Sequence, residues 1–449
     1  MNKKIKIANG QGFWGDSIDA PIELIDNGKI DYLTLDYLAE VTLSIMQKQK
    51  IKNPNYGYAK DFLKLAEKSI DKFLKNNIKI ITNAGGVNPK ACRDELIKIA
   101  KSKSSEIKIG IIEGDNIISK IKDFRRKGVS FTNIDTGEDF EKIEDNLYSA
   151  NVYIDSFPIA KALDMGAQIV LAGRVSDPGL VLGPCIHEFQ WNRNQYNMLA
   201  SGTLAGHIVE CGCQCSGGNY TGWKDVKDFI NIGYPIANIN KNGNFSIMKH
   251  KNTGGIINKA TVSEQILYEM GDPKKYISPD VCVDFTSFNI SDEGDDRVHI
   301  RNVGGFKPTD TYKVSMSYFG GYKTTGQLTI SGPDALKKAE LCANIVWGRL
   351  KKAGYTYSDK STEYLGVSSC HKKIQPTPKD INEVVLRLGV RDFDINKVNR
   401  FGMEIAPLIT SGPPGVTGFA GGRPKAQEII DYWPALIPKN LIKTRVNVL

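Results

Sequence analysis

His207 and Glu210 have a spacing that suits proton transfer, and both lie in SGTLAGHIVECGCQCSGG (201–218). If residues 203–211 are helical, positions three apart lie on one face, so the two side chains can meet. Histidine is the side chain most easily poised to move a proton near neutral pH, and a carboxylate can orient it or act itself. We predict a catalytic pair. The alternative is a buried histidine whose partner is a backbone group.

A second polar pair, Arg174 and Asp177, lies in LAGRVSDPGLVLGPCIHEFQW (171–191). A guanidinium can hold an anion through two hydrogen bonds, and the carboxylate can orient the guanidinium or act as a base. We predict that Arg174 binds substrate and that Asp177 is catalytic. A purely structural ion pair explains the same residues equally well. His187, in HEFQW, is the second candidate among the histidines.

Two glycine-rich segments, ANGQGFWGDSIDAPIELI (8–25) and ITNAGGVNPKACRDEL (81–96), could bring exposed backbone amides to a carboxylate or phosphate. Neither carries the G-x-G-x-x-G pattern of dinucleotide-binding proteins. A tight strand-to-helix turn is a fair alternative for each glycine taken singly. The predicted substrate-binding residues of this region are Asn9, Gly10, Gly12, Asp16, Asp36, Asn83, Gly85, Gly86 and Asn88.

Arg423 ends a long loop, LITSGPPGVTGFAGGRP (408–424), that combines rigid prolines with flexible glycines. Such a loop can close over a site, and we predict that Arg423 meets an anionic group of the substrate. The alternative is a long surface connection.

Neither the cysteines nor the carboxylates match a standard metal site. Cys211, Cys213 and Cys215 form C-x-C-x-C without a distant second pair, which favours buried thiols; a Cys211 nucleophile is the lesser alternative. We predict no bound metal and no cofactor other than CoA as part of a substrate. Carboxylates and amides at strand ends also suit Mg²⁺ or Mn²⁺, so that alternative stays open. Its ligands would be Asp16, Asp19, Asp36, Glu40 and Asn83.

The first half of the chain alternates short apolar strands with amphipathic helices, which predicts an α/β fold with a mostly parallel sheet and flanking helices. The predicted strands are 4–8, 32–36, 78–83, 107–113 and 168–173, and the predicted helices are 37–49, 59–75 and 90–102. Polar residues follow each strand. Because ligands bind beyond the carboxyl ends of parallel strands, we expect Asn9, Asp36, Asn83 and Arg174 to converge at one edge.

The second half has the mixture of hairpin and helix patterns that is typical of an α+β domain. Examples are a hairpin pattern in YPIANINKNGNFSIMKH and a long helix in DALKKAELCANIVWGRLKKAG. We predict an α/β domain over 1–225 and an α+β domain over 226–449, because 449 residues exceed one ordinary core.

Composition excludes several functional classes. The net charge of +9 comes from lysines interleaved with glutamates rather than from an arginine stripe, so we expect no nucleic-acid partner. The first residues carry no apolar run of the kind that starts a signal sequence, and we predict a cytoplasmic protein without a membrane partner.

Read together, several motifs resemble the acyclic terpene utilisation AtuA family, from about residue 5 to about residue 440. They are ANGQGFWGD, LDYLAE, TNAGGVNP, GRVSDPGLVLGP–HEF–W, SGTLAGHIVECG, NIGYPIA, EQILYEMGDP and SGPPGVTGF–GRP. The resemblance implies an association with the breakdown of branched acyl-CoA compounds.

Relatives in this family often continue into a small ferredoxin-like module with a Ser-Gly-Asp-Lys motif, which this sequence lacks. We therefore expect a separate small ferredoxin-like partner, or an activity that does without it. We also expect a homo-oligomer.

The leading functional hypothesis is a lyase or hydratase that abstracts a proton next to the carbonyl of a carboxylic acid or acyl-CoA thioester. In the alternative, the chain is a non-catalytic acyl-binding subunit that works with a carboxylase or with the small ferredoxin-like partner. An NAD-linked dehydrogenase is disfavoured by the absent glycine fingerprint.

Overall fold

The computed structural model describes residues 3–367, 369–371, 374, 376, 381–418 and 422–449. In chain order the strands are β1 (Lys4–Gln11), β2 (Tyr32–Leu35), β3 (Lys79–Thr82), β4 (Ile109–Glu113), β5 (Leu147–Val152), β6 (Ile169–Leu171), β7 (Pro235–Asn240), β8 (Phe245–Lys249), β9 (Tyr276–Ile277), β10 (Cys282–Asp284), β11 (Asn289–Gly294), β12 (Arg297–Arg301), β13 (Gly304–Phe306), β14 (Thr311–Ser331), β15 (Asp359–Leu365), β16 (Glu383–Asp392), β17 (Gln427–Pro438) and β18 (Arg445–Val448). The α-helices are α1 (Ala20–Asn27), α2 (Glu40–Lys52), α3 (Lys60–Lys75), α4 (Pro89–Ser102), α5 (Ile121–Arg126), α6 (Phe157–Asp164), α7 (Gly179–Phe189), α8 (Tyr196–Val209), α9 (Lys259–Leu267), α10 (Ala335–Lys352), α11 (Ile395–Ile405) and α12 (Leu408–Ser411).

The predicted α/β class is confirmed by the main sheet, whose centre consists of parallel strands in the order β1-β2-β3-β6-β4. These five strands are the five that the apolar runs predict. They are short and almost wholly buried because helices cover both faces, as is typical of parallel sheets. Antiparallel strands extend the sheet on both sides: β7, β8, β12 and β11 follow β1, and β18 joins β4.

The structure divides the chain elsewhere than at residue 225. One compact unit comprises Met1–Ser317 with Tyr432–Leu449, and the other comprises Tyr318–Asp431. The reason is strand pairing: β7, which follows the expected boundary, pairs with β1 from Lys4↔Asn240 to Ala8↔Ile236, so both sides of residue 225 share one sheet. The hairpin and the long helix predicted in the second half are present as β7–β8 and α10.

In the second unit, α10 and α11 bury their apolar faces in a core that also takes Leu328, Leu386 and Leu388 from β14 and β16. Within the part of the chain that the structure describes, no helix is long and apolar enough to cross a membrane.

Helix α3 provides a test of the core of the first unit. Ile70 on α3 is fully buried, whereas Ile51 on α2 is 69% exposed. Replacing a buried isoleucine by alanine removes apolar contacts and leaves a cavity, so Ile70→Ala should lower the free energy of unfolding by about 2–5 kcal/mol. The matched change Ile51→Ala should alter it by less than about 0.5 kcal/mol. Urea denaturation followed by circular dichroism measures both, and equal effects would contradict the packing described for α3.

Candidate functional site

The polar residues that follow the parallel strands meet at one edge of the sheet. Asn83 follows β3, and its side-chain Nδ2 donates a hydrogen bond to Oδ1 of Asp36, which follows β2, at 2.6 Å. The other atom of this amide, Oδ1 of Asn83, accepts a hydrogen bond from the backbone N–H of Tyr37 at 2.7 Å. Asn9, at the end of β1, donates from Nδ2 to the backbone carbonyl of Glu210 at 3.2 Å.

Arg174 follows β6 and is one of the largest fully buried side chains. Its Nη1 donates to Oδ1 of Asp177 at 2.5 Å and to the carbonyl of Leu38 at 2.8 Å. The guanidinium also lies 4.1 Å from the ring centroid of Tyr153, a cation–π contact. Its Nε is buried and has no hydrogen-bond partner among the described residues. One N–H of this cation is therefore unsatisfied.

The pKa of Asp36 depends on its burial and on the nearby ion pair of Arg174 and Asp177. Burial raises the pKa of Asp36 well above its usual range, the nearby Asp177 raises it further, and Arg174 with Asn83 opposes the shift. Two carboxyls thus share one buried cation, and the desolvated one holds its proton more tightly.

A cavity of about 320 Å³ opens beside Arg174 within the first unit. Its polar lining includes Tyr153, Arg174, Asp177, Glu269, Tyr276 and Lys313. Ile277, Pro279 and Leu436 supply apolar surface. A small concave site with apolar walls and a few convergent charges has the composition of a small-molecule site.

His207 and Glu210 form the predicted contact at the end of α8. Nδ1 of His207 lies 3.1 Å from Oε1 of Glu210, and Nε2 lies 3.2 Å from the carbonyl oxygen of Ile266. Because a carbonyl only accepts, Nε2 carries a proton. The pair therefore combines both interpretations of the sequence: His207 is a core histidine with a backbone partner, and it also contacts a carboxyl.

Burial governs the protonation of this pair. It raises the pKa of Glu210 to about 7, against the opposing effect of His207. For His207, burial lowers the pKa, but the Glu210 carboxyl outweighs burial, so the net pKa is raised. Oε2 of Glu210 is buried without a hydrogen-bond partner in the described structure. The two groups hold a proton between them near neutral pH.

The pair lies behind the cavity wall rather than in it. The rings of Tyr276 and Phe285 pack on the imidazole of His207, with centroids 5.2 and 5.4 Å away. Tyr276 lines the cavity, and so do Asp177 and Glu269, whose charges raise the pKa of Glu210. The buried pair and the cavity are therefore electrostatically coupled.

Comparison with known proteins now assigns the family. A family model described as acyclic terpene utilisation family protein AtuA matches residues 5–448. The chain belongs to the AtuA family. Its membership links this AtuA chain to acyclic terpene utilisation. No curated protein and no solved structure matches it.

In this AtuA chain the predicted loop glycines face their own protein rather than an open space. A methyl group added at any of them would meet a nearby residue. The contacts are Gly10 with Pro21, Gly12 with Cys211, Gly85 with Pro89, and Gly86 with Met46. Gly86 also has φ +51°, which favours glycine. These glycines let the strand ends pack closely.

The remaining predicted binding residues make internal contacts. Asp16 accepts hydrogen bonds from the hydroxyl of Tyr234 at 2.6 Å and from the amide of Gly12 at 2.9 Å. Asn88 donates to two backbone carbonyls, at residues 54 and 56. Arg423 belongs to the second unit, where it lines a cleft with Lys323 and Lys425.

Cys211 and His187, the other two candidates for chemistry, are each accounted for by local contacts or burial. Burial raises the pKa of Cys211 to about 12, which disfavours its thiolate, and His187 lies 2.5 Å from Asp164. Among the described residues there is no group of three or more His, Cys, Asp and Glu side chains that could hold a metal ion. The side chain of Glu40 lies outside the described structure.

Sequence reasoning missed several aromatic and acidic residues at the cavity. Tyr153 and Tyr276 line the cavity, and so does Tyr312, whose hydroxyl donates to Asp155 at 2.8 Å. Asp280, whose pKa burial and Asp155 raise to about 7, adds a second buried carboxyl pair near this wall. None of them belongs to one of the polar or glycine-rich motifs described in the sequence analysis, so spacing carried no signal for them.

The contact between the first loop and the 211 segment can be tested at Gly12. An added methyl group would lie 2.8 Å from the carbonyl carbon of Cys211, and backbone must shift to admit it. Gly12→Ala should therefore lower the free energy of unfolding by about 1–3 kcal/mol. The control is Gly271→Ala, where nothing lies within 4 Å. A Gly12→Ala protein as stable as the control in urea denaturation would refute this close approach.

Glu210 should impose a pH dependence on stability. Its folded pKa of about 7 exceeds the usual 4.5, so between these values the folded chain keeps a proton that the unfolded chain releases. This contribution is fully present below about pH 4.5 and is lost as the pH rises towards 7. Glu210→Gln does not titrate and should remove that part of the decline.

The comparison requires urea midpoints for wild type, Glu210→Gln and the exposed control Glu67→Gln between pH 5 and 8. The control should reproduce the wild-type slope. A Glu210→Gln protein with the same slope would show that Glu210 is ionised throughout.

Proposed function

We propose that this AtuA family chain is an enzyme that transfers a proton next to the carbonyl of a small branched carboxylic acid or its CoA thioester, in a lyase or hydratase reaction. The observation that carries the proposal is the cavity that Arg174 lines: a buried cation contributes to the wall of a ligand-sized space, and a proton-holding pair lies behind one wall.

Arg174 is suited to bind the oxygen of the acid or thioester. The guanidinium lines the cavity, and its Nε has no hydrogen-bond partner among the described residues, so the cation is not fully neutralised by its own protein. The guanidinium is held by Asp177, Leu38 and Tyr153, so it is oriented before the ligand arrives. Pre-oriented donors stabilise developing negative charge on a carbonyl oxygen without reorganisation.

Asp177 and Glu210 have different roles in proton transfer. Asp177 is only partly buried, lines the cavity and lies against Arg174, so it can remove a proton from the carbon next to the bound carbonyl. Glu210 has a pKa of about 7, which suits a group that gives and takes a proton at neutral pH. His207 positions Glu210 and shares its proton.

The cavity walls favour a short apolar chain. Tyr153 and Tyr276 present ring surface, and Ile277 with Leu436 presents aliphatic surface, within a volume of about 320 Å³. Such walls suit a branched acyl group, and the family's link to acyclic terpene utilisation supports the same substrate class.

Solvent deuterium exchange tests this function. Short branched acids and their CoA thioesters are incubated with the protein in D₂O, and deuterium at the carbon next to the carbonyl is followed by NMR. Glu210→Gln and His207→Ala should each slow exchange by about a hundred- to ten-thousand-fold. The double variant should lose little more, because the two groups act as a unit.

The matched control is His250→Ala, since His250 is not part of the cavity lining and its ring lies beside the backbone carbonyl of the neighbouring Lys251. It should exchange at the wild-type rate. If wild type binds these acids without exchanging any of them, the chain is an acyl-binding subunit and the proposed reaction is wrong. Loss of folding in His207→Ala with full activity per folded molecule would assign His207 to the core alone.

A further inference from the structure

Two cations of the cavity wall share one aromatic ring. Arg174 and Lys313 both line the cavity. The guanidinium carbon of Arg174 lies 4.1 Å from the ring centroid of Tyr153, and the ammonium nitrogen of Lys313 lies 5.3 Å from the same centroid. The two charges are therefore close enough for one small molecule to contact both.

The position of Lys313 is fixed by its backbone and by a second ring. The backbone N–H of Tyr153 donates to the carbonyl oxygen of Lys313 at 2.9 Å, which holds the residue after β5 against β14. The ammonium nitrogen also lies 5.5 Å from the ring centroid of Tyr432. Because aromatic rings attract a cation, the two rings together orient the ammonium group.

The two cations differ in how their charges are balanced. Arg174 donates to the Asp177 carboxylate at 2.5 Å, whereas Lys313 makes no ion pair with the residues that the structure describes. A cation–π contact orients an ammonium group but does not neutralise its charge. Lys313 therefore brings an uncompensated positive charge to the cavity wall, and such a charge attracts an anionic group of a ligand.

Glu269, the remaining acid of the lining, is associated with the buried pair rather than with Lys313. Its charge raises the pKa of Glu210 and the pKa of Tyr276, and it forms no ion pair with Lys313. The wall around Tyr153 therefore holds two cations and one carboxylate, Asp177, which is already bound to Arg174.

We propose that Lys313 is a specificity-determining residue that binds a second anionic group of the substrate, so that the preferred substrate is a small acid with a further carboxylate. Arg174 binds the oxygen of the reacting acid group, and Lys313 binds the carboxylate at the other end. Two points of attachment restrict how the substrate can turn, which is required to hold one carbon beside Asp177. This assignment rests on the proposed function of the same site.

Equilibrium binding tests this assignment without any turnover. The two probes are isobutyrate and methylsuccinate, which differ by one carboxylate in place of a hydrogen. Wild type should bind methylsuccinate about ten- to a hundredfold more tightly than isobutyrate, because the added carboxylate accepts a charged hydrogen bond from Lys313. Isothermal titration calorimetry measures both dissociation constants.

Three variants of Lys313 separate its charge from its packing. Lys313→Met keeps a long apolar side chain beside the rings of Tyr153 and Tyr432 and removes the charge. It should bind methylsuccinate no more tightly than isobutyrate and should leave isobutyrate binding unchanged. Lys313→Arg keeps the charge and should keep the preference for methylsuccinate. Lys313→Gln repeats the test if the urea midpoint of Lys313→Met is lowered.

The control is Lys60→Met, since Lys60 also lies over a ring, 3.5 Å from the centroid of Tyr56, and is not part of the cavity lining. It removes the same net charge and should bind both acids as wild type does.

The outcomes distinguish this assignment from the proposed function. A charge-free Lys313 variant that still prefers methylsuccinate, or a wild type that binds both acids equally, overturns the assignment of Lys313 alone. Methylsuccinate that binds through Lys313 but exchanges no deuterium supports the assignment and contradicts the proposed reaction. A wild type that binds neither acid overturns both.

Discussion

The candidate site depends on the neutralisation of one buried cation. Arg174 is almost wholly removed from solvent, and an unpaired charge in such a position would be strongly unfavourable. The guanidinium is stabilised by the Asp177 carboxylate, the Leu38 carbonyl and the ring face of Tyr153. These partners come from the ends of β2, β5 and β6, so the requirement to satisfy Arg174 fixes how several strand ends meet. The same arrangement leaves the N–H at Nε without a hydrogen-bond partner among the described residues.

Desolvation also explains why titratable groups cluster here. Burial raises the pKa values of Asp36 and Glu210, and the cations available to oppose it are Arg174 and the His207 imidazolium. Carboxyls with raised pKa values that adjoin a cavity are typical of sites that move protons. A cluster built only for stability gains little from such groups, because replacing buried ionic groups by apolar ones is often neutral or stabilising.

The strand-end loops pack against the residues of the candidate site. Gly12 allows the loop after β1 to lie against the backbone of Cys211, next to Glu210, and Asn9 donates to the carbonyl of Glu210. The side-chain amide of Asn83 donates a hydrogen bond to Asp36 and accepts one from the backbone N–H of Tyr37. These predicted binding residues therefore hold the buried carboxyls Glu210 and Asp36 in place.

The sequence by itself determined the local structure and the pairings of short range. Apolar runs bounded by polar loops specify the five parallel strands, and helical spacing places His207 beside Glu210. Arg174 and Asp177 are three residues apart in the loop before α7 and form an ion pair. Tertiary structure alone decided which distant residues share the cavity: Tyr153, Tyr276 and Lys313 come from segments without a common motif. It also decided that residue 225 is no boundary, because β7 pairs with β1. The physical reason is that periodicity records which face of an element is buried, whereas the partner on that face and the resulting desolvation depend on how the whole chain packs.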